Sequence, residues 1–383
     1  MISKKKIVFS ITAISLFIFL IEFIGNSIYY LKRDRFFYTY HSKKIEGFIN
    51  FTPHGLNRWK PNVTAHMPGY PSFLYTDRYG FIHNGLDREI SSNTYNIFLT
   101  GGSTVEGRGS SSNEKTISSY LEKFLNSRLI DKDIRVINAG FSGDTTYQEL
   151  TRIFGHLVPN FKIDMVISIS GRNDGHNTIY RGKYFKPNIG NEAFDLFEKN
   201  FNNLKTSCIS CSIDKKLKKY SITYYSINFY INKLFIKRDK LNINFKESYN
   251  LPLNKIPFNV YSKNTFNNLS TIKHRLDLEN IKFVSFLQPT LLENLKKNFS
   301  EKEDKNTKKW ILESNYVDYF LGIENFYSEL QKHTNNQWFF NISDIFLNNK
   351  NELYWDSLHY NDLANKLIAD TIATKVIEMN YIR

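Results

Sequence analysis

Short apolar runs alternate with helical patterns through the middle and the end of this chain. Between the runs, apolar residues recur at helical spacing over Glu114–Arg128, Thr145–Leu157 and Asn361–Glu378. Strands that alternate with helices predict a parallel sheet with helices on both faces, so we expect an α/β fold, a three-layer sandwich around a five-stranded parallel sheet. The runs predict buried strands at Tyr95–Thr100, Ile134–Asn138, Ile163–Ile169, Ile281–Leu287 and Gln337–Ile342.

The N-terminus has a different pattern. Lys4, Lys5 and Lys6 precede an apolar run from Ile7 to Ile24 that is long enough to span a bilayer. Positive charge before such a run predicts a cytoplasmic N-terminus and a remainder that lies outside the cytoplasm. A cleaved signal peptide is the rival interpretation, but no clear cleavage site follows the run.

We therefore expect a single-pass protein with an uncleaved transmembrane signal anchor. The expected organisation is a cytoplasmic tail over 1–6, the anchor over 7–24, a stalk and lead-in over 25–69, and a domain over 70–383 that is periplasmic or extracellular. Within that domain, Tyr70–Asn84 predicts a short hairpin with a turn near Asp77–Gly80.

Two regions do not follow the alternation of predicted strands and helices. Residues from about 180 to 275 are rich in Lys, Asn, Tyr and Phe, with helical fragments near 194–204 and 220–234. We interpret them as a helical insertion, which is either a cap over the substrate face or structural padding. A second helical insertion is predicted between Trp310 and His333, with the same two alternatives.

Composition excludes some functions. The 383 residues carry a net charge of +14, largely from scattered lysines, and no basic stripe or recognition motif indicates nucleic-acid binding. Abundant Lys, Asn, Ile, Phe and Tyr are typical of a low-GC bacterium. Cys208 and Cys211 are the only cysteines and are either a local disulfide or two idle thiols. The other histidines lack metal-ligand spacing, so we expect neither a metal nor a cofactor, and the oligomeric state stays open.

Polar residues follow the predicted strands where open α/β sheets place their sites, at the carboxyl ends. Ser103 comes after the first strand in Gly-Gly-Ser-Thr, Gly143 after the second, and Asn173 after the third in Gly-Arg-Asn-Asp. Asp356 and His359 form an Asp-x-x-His motif just before the closing helix.

These residues supply the parts of a serine acyl-transfer site. Ser103 is the candidate nucleophile, His359 its base, and Asp356 the carboxylate that orients the imidazole. The backbone N–H groups of Ser103 and Gly143 and the side-chain amide of Asn173 are candidate oxyanion donors. Each residue alone is equally consistent with a cap or a turn, and only their combination predicts catalysis.

The four motifs, in this order, resemble those of the SGNH/GDSL hydrolase superfamily over roughly residues 95–175 and 280–380. The resemblance implies an SGNH-hydrolase-like, flavodoxin-like sheet and an acyl-enzyme on Ser103. The family's first motif often has Gly-Asp-Ser, whereas here Gly102 precedes Ser103.

Resemblance to membrane-anchored members implies O-acetyl groups of surface carbohydrate as the substrate. If the acyl acceptor is water, the protein is an esterase, and if it is a sugar hydroxyl, an O-acyltransferase. Two other hypotheses stay open: a catalytically silent carbohydrate-binding or assembly component, and a lipid-directed esterase drawn to the membrane by basic charge.

Overall fold

The chain divides into two units, Met1–Gly47 with Leu196–Phe245 and Phe48–Asp195 with Lys246–Arg383. The computed structural model describes residues 4–33, 49–51, 56–66, 73–83, 90–91, 93–181, 221, 256–291, 300–304, 317–334, 336–356 and 358–382.

The first unit contains helix α1 (Lys4–Arg33), which includes the whole N-terminal apolar run. The carboxylate of Glu22, inside that run, accepts a hydrogen bond from the Ser221 hydroxyl. Among the residues that the structure describes, no helix combines the length and the apolarity needed to cross a membrane. This finding does not support the transmembrane anchor expected over 7–24.

Four short strands precede the sheet in the second unit. Three of them lie where the sequence indicated a stalk and lead-in, and the fourth lies in the predicted hairpin over Tyr70–Asn84. Asp77 forms the predicted turn, because its carboxylate accepts the N–H groups of Tyr79 and Phe81 at 2.8 and 2.9 Å. Ile82 then pairs with Asn138, which joins this lead-in to the main sheet. The strands form two antiparallel pairs, β1 (Ile49–Phe51) with β2 (Asn57–Trp59), and β3 (Thr64–His66) with β4 (Phe73–Tyr75).

The main sheet has five strands, all parallel, in the order β6-β5-β7-β8-β9. This confirms the predicted fold class, and each strand differs from its predicted bounds by no more than two residues. The strands are β5 (Tyr95–Gly101), β6 (Ile134–Asn138), β7 (Met165–Ser170), β8 (Lys282–Leu287) and β9 (Phe339–Asn341).

Seven described helices of the second unit follow or precede these strands. Helix α4 (Thr146–Arg152) is continued by a π-helical turn at Ile153–Leu157 and a last turn at Val158–Asn160, so the helical segment ends three residues beyond the predicted Leu157. A 3₁₀ turn covers Asn113–Lys115. The helices are α2 (Ser103–Glu106), α3 (Ile117–Arg128), α4 (Thr146–Arg152), α5 (Arg172–Arg181), α6 (Phe258–Leu278), α7 (Val317–Gln331) and α8 (Asp362–Glu378).

Side chains alternate between two cores, one on each face of the sheet. In β5, Ile97 and Leu99 belong to the core that α3 and α8 cover, whereas Phe98 belongs to the core covered mainly by α6 and α7. All three are completely buried. Burial on both faces explains why the strands are continuous apolar runs and confirms the three-layer sandwich.

Helix α6 corrects the boundary of the proposed insertion. The sequence analysis extended that insertion to about residue 275, but Leu269, Ile272 and Leu276 are buried in the core beside the sheet. The chain therefore belongs to the helical layer from Phe258 onward. The fragments predicted near 194–204 and 220–234, and both cysteines, lie outside the described residues apart from Ser221.

Candidate active site

The candidate nucleophile lies at the carboxyl edge of the sheet. Strand β5 ends at Gly101 and helix α2 begins at Ser103, which is partly exposed. The Ser103 Oγ is 2.8 Å from Nε2 of His359. As the first residue of α2, Ser103 has a backbone N–H that no helical carbonyl can accept, so that group is available to a ligand.

His359 and Asp356 share one short loop before α8. The loop closes where the Trp355 N–H donates to the His359 carbonyl at 2.7 Å and Tyr354 pairs with Tyr360. Nδ1 of His359 is 2.7 Å from Oδ2 of Asp356. His359 is only 6% exposed, so its ring is held by the protein on both sides.

The Asp356 carboxylate is stabilised as an anion. Its Oδ1 accepts the backbone N–H groups of Leu358 and His359 at 2.7 and 2.8 Å. Burial by itself raises the pKa of Asp356. The hydrogen bonds from His359 and from these two amides lower it by more than burial raises it, so the pKa lies below its ordinary value. An ionised Asp356 holds a proton on Nδ1 of His359 and leaves Nε2 free to accept one from Ser103.

A tight turn over residues 141–144 presents Gly143. The Asp144 N–H donates to the Phe141 carbonyl at 3.1 Å, and the Phe141 N–H donates to the Gly101 carbonyl at 3.0 Å. Gly143 has φ +85°, a value that favours glycine and is typical of the third position of a type II turn. Within the described part of the chain, its N–H has no hydrogen-bond partner.

Asn173 lies against the same turn and against the residue before the nucleophile. Its Nδ2 donates to the Asp144 carbonyl at 2.8 Å. A Cβ placed on Gly102 would be 2.3 Å from that same Nδ2. The structure therefore brings Asn173, Gly143 and Ser103 to one place, and it explains Gly102, because Asn173 occupies the space that any larger residue would need.

An ion pair fixes the far side of the turn. Arg152 of α4 donates to Oδ2 of Asp144 through Nε at 2.8 Å and Nη2 at 2.6 Å, and both side chains are buried. The Arg152 guanidinium also lies 5.3 Å from the Phe141 ring centroid. These contacts give Asp144 a structural role beside the site.

Glu149 lies buried beside the ends of β5 and β7, and the sequence analysis did not find it. It accepts hydrogen bonds from Thr100 and Ser168 at 2.8 Å and from Ser170. Burial raises the pKa of Glu149 to about 7. Polar Thr100, Ser168 and Ser170 within otherwise apolar strands were the sequence signal for such a partner.

Asp174 is a second buried carboxyl beside the site. It accepts the Thr146 hydroxyl at 2.7 Å at the start of α4, and burial raises its pKa to about 6. Within the described residues, no group of three or more His, Cys, Asp or Glu side chains is placed to hold a metal ion. The arrangement can instead perform nucleophilic catalysis with a base, an orienting carboxylate and three oxyanion donors.

The sheet and this arrangement define a serine hydrolase, and comparison with known proteins identifies the family. Residues 97–372 match the GDSL-like lipase/acylhydrolase family. The chain belongs to that family, within the SGNH/GDSL superfamily, and is a serine esterase. No curated protein matches the chain.

Solved structures add only weak likenesses. A two-domain esterase (CEX) active on acetylated mannans is 13% identical with a TM-score of 0.36, and the match covers 75% of this chain and 50% of that one. The chain thus spans half the length of that esterase. The acetyl xylan esterase AlAXEase is 13% identical, with a TM-score of 0.38 and coverage of 73% and 99%. The lipase Lip_vut3 from a goat rumen metagenome is 13% identical, with a TM-score of 0.40 and coverage of 76% and 99%. Likenesses this weak carry no information about the substrate.

The contact at Gly102 generates a prediction. Gly102→Ala should displace the Asn173 amide and lower kcat on 4-nitrophenyl acetate by about 10²-fold, because a misplaced donor loses most of its effect. Asn173→Ala should lower kcat by about 10²–10³-fold, as expected for a lost oxyanion donor.

The double variant separates a clash with Asn173 from general damage. With the Asn173 side chain removed, Gly102→Ala has nothing to displace and should cause little further loss of kcat. Losses that multiply in the double variant would contradict the prediction, as would a Gly102→Ala enzyme with normal kcat.

Proposed function

We propose that this serine esterase removes or transfers acetyl groups of carbohydrate through an acyl-enzyme on Ser103. One observation carries the catalytic part of the proposal: the continuous hydrogen bonding from Asp356 through His359 to Ser103, at 2.7 and 2.8 Å. Asp356, His359 and Ser103 are then the orienting carboxylate, the base and the nucleophile.

The proposed reaction has two halves. In the first, His359 Nε2 takes the Ser103 proton while Oγ attacks the ester carbonyl, and the resulting oxyanion is held by the N–H groups of Ser103 and Gly143 and by Asn173 Nδ2. The carbon–oxygen bond to the alcohol then breaks, and His359 returns the proton to that alcohol. In the second half, water or a sugar hydroxyl gives its proton to His359 and attacks the acyl-enzyme carbonyl. The bond from the acyl carbon to Ser103 Oγ then breaks, and His359 returns the proton to Oγ.

An exposed aromatic ring beside the site supports a carbohydrate substrate, in addition to the resemblance described from the sequence. Trp355 directly precedes Asp356 and is 37% exposed, although most large apolar side chains of the domain are buried. The Lys302 ammonium lies 5.8 Å from its ring centroid. The apolar face of a sugar ring packs well on an exposed indole, and an ammonium group this close to the ring supplies a hydrogen-bond donor.

The first test measures acetate release from acetylated oligosaccharides. Ser103→Ala should abolish release, because only the attacking oxygen is lost, and His359→Ala should lower turnover by orders of magnitude. Adding unacetylated oligosaccharide distinguishes transfer from hydrolysis, since a transferase forms a newly acetylated sugar. Full activity in Ser103→Ala would disprove the mechanism, and preference for long-chain esters would favour the lipid-directed alternative.

The second test concerns Trp355. Trp355→Ala should raise KM for an acetylated oligosaccharide by about 10-fold, which corresponds to the loss of an aromatic contact of about 1.4 kcal/mol. With 4-nitrophenyl acetate, which lacks a sugar ring, kcat/KM should change little. Trp355→Phe keeps a ring and should recover part of the affinity. An equal loss on both substrates would contradict a sugar-binding role.

We also propose that the catalytic domain acts outside the cytoplasm. The support comes from the sequence, in which Lys4, Lys5 and Lys6 precede the apolar run of α1. A reporter that is active only outside the cytoplasm, fused after Arg383, should be active. Replacing the three lysines with glutamate is the matched control and should reduce that activity. A fusion that is active only with a cytoplasmic reporter would disprove the proposed location.

A further inference from the structure

We propose that Glu106 is a positioning residue that holds the turn over residues 141–144, here called the oxyanion turn, against helix α2, which begins at Ser103. This inference rests on the proposed function, because it concerns the turn that presents the Gly143 N–H. Glu106 is the last residue of α2, three positions after Ser103, and its side chain is completely buried.

The Glu106 carboxylate joins three separate segments. Oε2 accepts the hydroxyl of Ser142, which belongs to the oxyanion turn. Oε1 accepts Nε1 of Trp59, from the lead-in strand β2, at 2.9 Å. Arg108 supplies the countercharge, with Nε at 3.3 Å from Oε2. Through these contacts the buried carboxylate fixes Ser142 relative to Ser103.

The position of Ser142 explains why this anchor matters. Ser142 and Gly143 are the two central residues of the turn, and the peptide between them carries the Gly143 N–H. A type II turn becomes type I when that peptide rotates by half a turn, and glycine tolerates both conformations. Rotation would point the N–H away from the oxyanion. The contact from Ser142 to Glu106 restrains the residue on one side of this peptide.

Charge and geometry make opposite predictions for Glu106. A negative charge near a developing oxyanion opposes it, so removing the charge alone would raise kcat. Removing the anchor would lower kcat, because the Gly143 N–H would spend less time in the productive orientation. Glu106→Gln removes the charge and one acceptor with almost no change of shape, and therefore decides between the two effects.

The experiment compares Glu106→Gln, Ser142→Ala and their double variant on 4-nitrophenyl acetate. Each single change should lower kcat by about 10- to 100-fold with KM changed less than about 2-fold. The double variant should be no worse than the poorer single variant, because both changes break one contact. Glu122→Gln is the control: Glu122 is also buried and accepts the Val136 N–H at 2.8 Å, but from α3. It should lower the Tm and leave kcat unchanged.

Hydrogen exchange of the turn provides a readout that does not depend on activity. The hydrogen-bonded amides of Phe141 and Asp144 should exchange about 10-fold faster in Glu106→Gln and Ser142→Ala, but not in Glu122→Gln. An inactive wild-type protein would refute the proposed function, and the exchange rates would still test the anchor. Unchanged kcat and unchanged exchange in Ser142→Ala would overturn the inference, even if Glu106→Gln failed to fold. A lowered Tm with normal kcat in Glu106→Gln would reduce Glu106 to a structural role.

Discussion

The hydrogen bonds from Asp356 through His359 to Ser103 join parts of the chain that are 256 residues apart in sequence. Such a long-range contact needs rigid support on both sides, and the parallel sheet with its two helical layers provides it. Gly109, just after the nucleophile helix, shows how closely the two sides approach, because a Cβ there would lie 2.3 Å from the Tyr360 carbonyl. The loop of His359 therefore packs directly on the segment that follows Ser103.

The proposed oxyanion donors depend on similarly close contacts. Gly102 leaves room for Asn173, and the Gly143 N–H has no hydrogen-bond partner among the residues that the structure describes. Buried carboxyls surround these donors: Asp144 pairs with Arg152, Glu106 contacts the turn, and Asp174 caps α4. Preorganised donors are effective because the protein does not have to reorient them during the reaction. In this site, buried charged and polar side chains contact the residues that carry the candidate donors.

The sequence predicted the sheet well because strands buried on both faces are continuous apolar runs, and the polar motifs follow at their carboxyl ends. It could not predict α6, because the buried polar residues Ser262 and Thr265 interrupt the apolar helical spacing around Leu269. The partners of Glu106 were also beyond prediction, because they come from distant segments. For Glu149, the polar Thr100, Ser168 and Ser170 in apolar strands indicated a buried partner but did not identify it. The strands β1, β2 and β3 were missed, since three-residue strands carry almost no periodic signal, whereas β4 lies in the predicted hairpin. The departure at Gly102 was visible in the sequence, but its reason required the position of Asn173.

Covalent labelling with a fluorophosphonate tests the central claim most directly, because the probe reacts with an activated serine and leaves a stable adduct. Mass spectrometry of the digested protein should find one adduct, on the peptide that contains Ser103, and labelling should be much slower in His359→Ala. Asp356→Asn should also slow it, since the imidazole then loses its orienting carboxylate. An adduct on another serine, or equal labelling rates in the wild type and His359→Ala, would contradict the account.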